Sequence, residues 1–83
     1  MKYASAGTLE SNDCLITVEP SDTIEIVIES IVFDQFGQQI KHVIESWLLL
    51  HEKTLSVHIQ DKGALDYTII ARLTTAVRRL EAM

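Results

Sequence analysis

The 83-residue chain has one cysteine, one proline and three glycines, and aromatic side chains make up only 6% of it. A lone cysteine, Cys14, excludes an intrachain disulfide and agrees with a reducing compartment. With His42, His51 and His58 it completes the thiol and imidazole supply, whose spacing matches no finger pattern, so no metal site is expected. No stretch approaches the run of about 18 apolar residues that a membrane span requires. Met1-Lys2-Tyr3 is not followed by the apolar core of a signal peptide, and a cytoplasmic protein is expected. Basic residues are scarce too: seven Lys and Arg stand against twelve Asp and Glu, for a net charge of −5. Residues 1–34 carry seven acids against Lys2, so the acidity is concentrated in the first part of the chain. Nucleic acid is a poor partner for such a chain, because phosphate binding needs a basic face. The acidic part suits a basic partner groove or a solvated surface.

What is present is the composition of an ordinary globular protein, 47% hydrophobic and 23% charged. One core is expected, in a single domain spanning residues 1–83, with residues 1–12 as a flexible N-terminal arm. Ser11-Asn12-Asp13 is a polar cluster just ahead of an apolar alternation, the pattern of a turn feeding a strand. Cys14 to Glu19 alternates, and so does Thr23 to Glu29, with Pro20-Ser21-Asp22 between them; these read as an antiparallel hairpin. Ser30 occupies a helix N-cap position. Beyond it, Val32, Phe36, Ile40, Val43, Ile44, Trp47 and Leu48 form one apolar stripe. Gly37 inside that helix costs about 1 kcal/mol relative to alanine. A third strand covers Leu55 to Gln60, with His58 turned away from the core. A last helix runs from about Leu65 to Leu80, burying Leu65, Ile69, Leu73, Val77 and Leu80. Strand, strand, helix, strand, helix makes an α+β fold: a two-layer ββαβα sandwich, with a three-stranded mixed or antiparallel sheet and two helices on one face. The intervening helix makes the second and third strands parallel, and a split arrangement places the first strand between them.

Independent catalysis is not expected, and no residue is assigned a catalytic role. A serine nucleophile needs a base within hydrogen-bond reach and a group to orient it. His42, His51 and His58 all read as surface residues, and Asp61 and Asp66 frame a turn and a helix start. Cys14 lies three residues from Ser11, but its place in the alternation makes it a small buried apolar residue rather than a second working thiol. Glu10 and Asp13 are read as solvated charges or as contacts for a basic groove.

Three stretches in one order, Ala6-Gly7-Thr8-Leu9-Glu10-Ser11, Gln35-Phe36-Gly37 and Asp61-Lys62-Gly63-Ala64-Leu65-Asp66, resemble the acyl carrier (gamma) subunit of bacterial citrate lyase. The resemblance runs from about Ala6 to Arg79, with departures at Cys14 and Tyr67. It implies that Ser11 is joined by a phosphodiester to a 2'-(5''-phosphoribosyl)-3'-dephospho-CoA arm. The thiol of that arm would hold the acetyl or citryl thioester during cleavage of citrate to acetate and oxaloacetate. The implied partners are the alpha (transferase) and beta (lyase) subunits, a prosthetic-group transferase and an acetylating ligase, with no membrane. The Asp-Ser-Leu signature of fatty-acid and polyketide carriers is absent. Two other readings stand beside this one: a protein-interaction module that pairs through an edge strand, and the carrier of a malonate decarboxylase-like complex. The sequence leaves open whether Asp61 to Asp66 lies near Ser11.

Overall fold

The computed structural model describes residues 2–31 and 33–83, apart from the side chain of Phe33. Six elements follow one another: β1 (Ala4–Gly7), β2 (Cys14–Pro20), β3 (Glu25–Ser30), α1 (Phe33–Leu50), β4 (Leu55–Asp61) and α2 (Asp66–Glu81). Alternation decides which face of the sheet is covered. Ala6, Ile16, Ile59 and Ile28 face one another in one row across the sheet, and Ala4, Val18, Val57 and Ile26 in the next. Ile16, Val18, Val57 and Ile59 are completely enclosed. Above them α1 contributes Ile40, Ile44 and Leu48, and α2 contributes Ile69, Leu73, Ala76, Val77 and Leu80. α1 packs over β3, α2 packs over β1 and β2, and the helices touch each other. This is the α+β sandwich expected, with both helices on one face of a mixed sheet.

Three details differ from the expectation. The sheet has four strands, because residues 4–7 of the supposed arm form β1, antiparallel to β2. Its small side chains gave little hydropathy contrast, yet alternate Ala4 and Ala6 face α2, where small residues allow close packing. The strand order is β1-β2-β4-β3, so β2 and β3 are not a hairpin. β3 does run parallel to β4, but β4 rather than β2 lies between the other two. The physical preference is clear in the residues: β4 buries Leu55, Val57, Ile59 and Asp61 on one face, whereas β3 carries Glu25 and Glu29 outward and suits an edge. Finally, Phe36 is 50% exposed and Leu65 60%, so neither belongs to the core stripes. Leu65 precedes α2 in an extended conformation and forms its N-cap without a side-chain hydrogen bond. Ser30, expected as the helix cap, instead ends β3 and donates its hydroxyl to Asp61, three residues before α1 begins, and Val32 in the stripe lies outside the described residues.

No described helix is long and apolar enough to cross a membrane. At the end of α1, Lys53 N donates to Leu48 O at 2.9 Å and Glu52 N to Leu49 O at 3.2 Å, the paired bonds of a Schellman stop. The residue that must turn left-handed is Glu52, with φ of 54°. A side chain there costs roughly 1 to 2 kcal/mol, which glycine avoids. Glu52→Gly is therefore expected to stabilise the fold by about 1 kcal/mol, read as a higher urea midpoint at unchanged slope.

Candidate functional site: the Ser11 loop

Residues 8–13 join antiparallel neighbours β1 and β2, and the loop opens on a tight backbone approach. Gly7 has φ of 104°, and a Cβ placed on it would lie 1.8 Å from the carbonyl oxygen of Cys14. Only glycine fits. Thr8 N then donates to Cys14 O at 3.2 Å, and Asp13 N donates to Glu10 O at 3.1 Å. The second bond closes a four-residue turn with Ser11 and Asn12 at its tip. Asn12 takes φ of 67°, in the left-handed region that asparagine enters more readily than most residues. Sequence reasoning read a turn here, and the structure contains one.

Asp13 anchors the turn. Its Oδ1 accepts from Arg72 Nε at 3.0 Å and from Cys14 N at 2.7 Å. Oδ2 accepts from Arg72 Nη2 at 2.9 Å and from Thr8 Oγ1 at 2.7 Å. This is a two-pronged guanidinium–carboxylate pair, the geometry in which arginine outperforms lysine. The Arg72 bonds, then those from Thr8 and Cys14, hold the Asp13 carboxyl far below its ordinary value of 3.8. Asp13 was expected as a solvated or docking charge; it is committed internally instead, with its side chain only 13% exposed. Glu10 is exposed as expected.

The loop is also bonded to the turn between β4 and α2. Lys62 N donates to Asp13 O at 2.9 Å and Asn12 N to Lys62 O at 2.8 Å, which carries the β2–β4 ladder past its last pair, Cys14 with Asp61. Asp61 is 2% exposed, and both of its oxygens are used. Oδ2 accepts from Ser30 Oγ at 2.8 Å and Oδ1 from Ala64 N at 2.9 Å. A buried carboxylate is tolerable when bonded in this way. Asp61 therefore ties together the ends of β3 and β4 and the approach to α2, rather than capping the helix. Asp66, in the first turn of α2, accepts from Gln39 Nε2 of α1 at 2.8 Å. The Asp61 to Asp66 stretch thus lies against the Ser11 loop, which the sequence left open. Both helices start at this end of the sheet, where their dipoles favour an anion.

Ser11 itself is exposed. Its hydroxyl has no bonded partner among the described residues, in contrast with Ser5, Ser21 and Ser30. His42 and His51 are exposed on or beside α1. His58 pairs with Glu29 on the open face of the sheet. None of the three is bonded to Ser11. Cys14 is fully enclosed, and burial, followed by the negative charges of Asp13 and Asp61, pushes its thiol up to about 12. Arg72 is the residue that sequence reasoning missed. It sits beside the buried stripe of α2, and nothing in its neighbourhood announces a partner 59 positions away.

Two outcomes follow from this geometry. The stability that Asp13 contributes is fully present above its unfolded value of 3.8 and is lost as pH falls through the lower folded value. The stability gap between the natural chain and Asp13→Asn is therefore constant from about pH 5 upward and shrinks below about pH 4, measured by urea unfolding across pH. Gly7→Ala is expected to cost about 1 to 3 kcal/mol from backbone strain alone, with the clash adding to it, and the same titration reads it.

The comparisons with known proteins place the chain. The family model described as "ACP: Malonate decarboxylase delta subunit (MdcD)" matches residues 1–80. A citrate lyase acyl carrier protein of Treponema denticola is 48% identical over 79 residues, covering 94% of this chain and 91% of that protein. One from Streptococcus mutans is 56% identical over 79 residues, covering 92% and 78%, and one from Halothermothrix orenii is 47% identical over 80 residues, covering 94% and 85%. No solved structure matches. The chain belongs to the citrate lyase acyl carrier protein family, whose members are named as carriers and not as catalysts.

Proposed function

We propose that this chain is the acyl carrier subunit of a citrate lyase and that Ser11 Oγ is the covalent attachment point, through a phosphodiester, of a phosphoribosyl-dephospho-CoA arm. One observation carries the assignment. Ser11 presents an unbonded hydroxyl at the tip of a loop whose two flanks are pinned, by Asp13 to Arg72 and by Asn12 to Lys62. A separate transferase must seat this backbone in its own site, and a tip of that shape is reachable without unfolding the domain. The setting suits a diester, with the positive ends of two helix dipoles at the same end of the sheet.

When attached, the arm supplies a thiol that carries the acyl group as a thioester. The chain's own residues do the rest by holding the tether. The Arg72–Asp13 pair fixes the root of the arm on a rigid domain, and the tether raises the effective concentration of its free end at the transferase and lyase subunits. Acid–base chemistry is left to those partners. An acetylating ligase and the prosthetic-group transferase complete the expected set of encounters. The family description also names a malonate decarboxylase subunit, and a carrier for such a complex is the second reading; the citrate lyase names of relatives at about half identity favour the first.

Protein purified from its own host during citrate fermentation is expected to exceed the encoded mass by one such group, located to the peptide containing Ser11 and missing from Ser11→Ala. With a disulfide reagent, the loaded native protein is expected to show one reactive thiol, from the arm, and a second from Cys14 only on unfolding. An encoded mass in such cells, or an unchanged adduct on the Ser11→Ala chain, would refute the attachment.

A further inference from the structure

The two edges of the sheet are not alike. β1 is four residues long, α2 packs over it, and its Ser5 carbonyl already accepts from Arg79 Nη1 at 2.8 Å. β3 has six residues and a single neighbour, β4. Among the described residues, none of 25–29 makes a backbone bond to a loop or a helix, so the alternate amides and carbonyls that an edge directs away from its sheet stay open. The inner row is incomplete at the same edge. Ile26 and Ile28 are only partly buried, whereas their partners in β4, Val57 and Ile59, are fully enclosed. Val27, on the face without helices, is 56% exposed.

Charge decides what fits beside such an edge. Residues 20–40 contain four acids and no lysine or arginine. Two of the acids, Glu25 and Glu29, flank Val27 on the open face; Glu25 accepts from Ser21 Oγ at 3.1 Å, and Glu29 pairs with His58. A second copy of this chain is a poor occupant, because in-register pairing, parallel or antiparallel about Val27, sets glutamate opposite glutamate. A strand with lysine or arginine at the two matching positions and apolar residues at the alternate ones meets both the acids and the half-covered isoleucines.

We propose that the β3 edge is a docking site for an extended, basic segment of a partner protein. The segment adds as a fifth strand, with its bases opposite Glu25 and Glu29 and its apolar side chains continuing the row of Ile26 and Ile28. Main-chain bonds supply the affinity and the alternating side chains the choice of partner. The position suits a carrier. Ser30 at the end of β3 pairs with Asp61, which pairs with Cys14, so the edge finishes at the same end of the sheet as the Ser11 loop. A strand beyond β3 lies three strand spacings from β2, about 14 Å, and leaves the Ser11 hydroxyl uncovered.

The probe is a blocked peptide, Val-Lys-Val-Thr-Val-Lys-Val, compared with its counterpart carrying glutamate in place of lysine. Each is added to the full, unloaded chain at low salt and followed by nuclear magnetic resonance. The lysine peptide is expected to bind roughly tenfold more tightly than the glutamate peptide. It is expected to shift the amide signals of residues 25–29 most, to slow hydrogen exchange at alternate positions among them, and to weaken as salt is raised. In the double variant Glu25→Lys with Glu29→Lys the preference is expected to reverse. Equal binding of the two peptides, binding of neither, or shifts centred on the helices or the Ser11 loop overturns the proposal. Should the double variant not fold, the comparison of the two peptides on the natural chain still decides. The chain carries no arm in this experiment, so no outcome bears on the attachment at Ser11.

Discussion

The paired contacts between Arg72 and Asp13 determine where Ser11 stands. Without them the segment between β1 and β2 is a six-residue connection tipped by two polar residues and held only by its turn bond, its backbone bonds to Lys62 and the Thr8 N bond to Cys14 O. With them, the carboxylate is gripped from α2 while its other lone pairs accept from Thr8 and the Cys14 amide. The grip also links layers: the carboxylate belongs to the sheet side and the guanidinium to the helix that covers it. α2 is in turn held by Leu73 and Val77, which lie within the enclosed core. Order at Ser11 is thus inherited from the hydrophobic interior through this ion pair, together with the backbone bonds between Lys62 and the loop.

Rigidity and freedom are divided sharply at this end of the molecule. Asp61 joins two strand ends to the approach of α2, the Lys62 backbone extends the ladder into the loop, and Gly7 permits a contact that no other residue allows. Within that frame the Ser11 hydroxyl is without a bond among the described residues. A carrier requires this combination, because a mobile root would dissipate the advantage of a tether and an engaged hydroxyl could not be modified. Cys14, three residues from Ser11, is enclosed, which keeps the chain's own thiol out of exchange.

Most of the secondary structure was legible because period-two and helical patterns report burial directly. Ile16 and Val18, Val57 and Ile59, Ile44 and Leu48, Leu73 and Val77 all lie where their spacing put them. β1 was not legible, since alanine, serine and glycine give almost no contrast between faces. Phe36 and Leu65 were misassigned because each continues a stripe beyond the point where the opposing layer ends, and periodicity contains no information about where a neighbour stops. The attachment proposed at Ser11 came from resemblance and not from its own chemistry, as a serine in a turn carries no mark of modification.

The sequence alone determined the α+β class, the covered face of each central strand, the enclosure of Cys14 and the turn at Ser11, all of which depend on interactions between residues close in the chain or on simple burial. Tertiary structure decided the rest: that β4 and not β2 is flanked by strands on both sides, that Asp13 is bonded to Arg72, and that the Asp61 turn lies against the Ser11 loop. Each of these is a pairing between segments far apart in sequence. Several partners would satisfy the same local pattern, and only the simultaneous packing of both layers selects one.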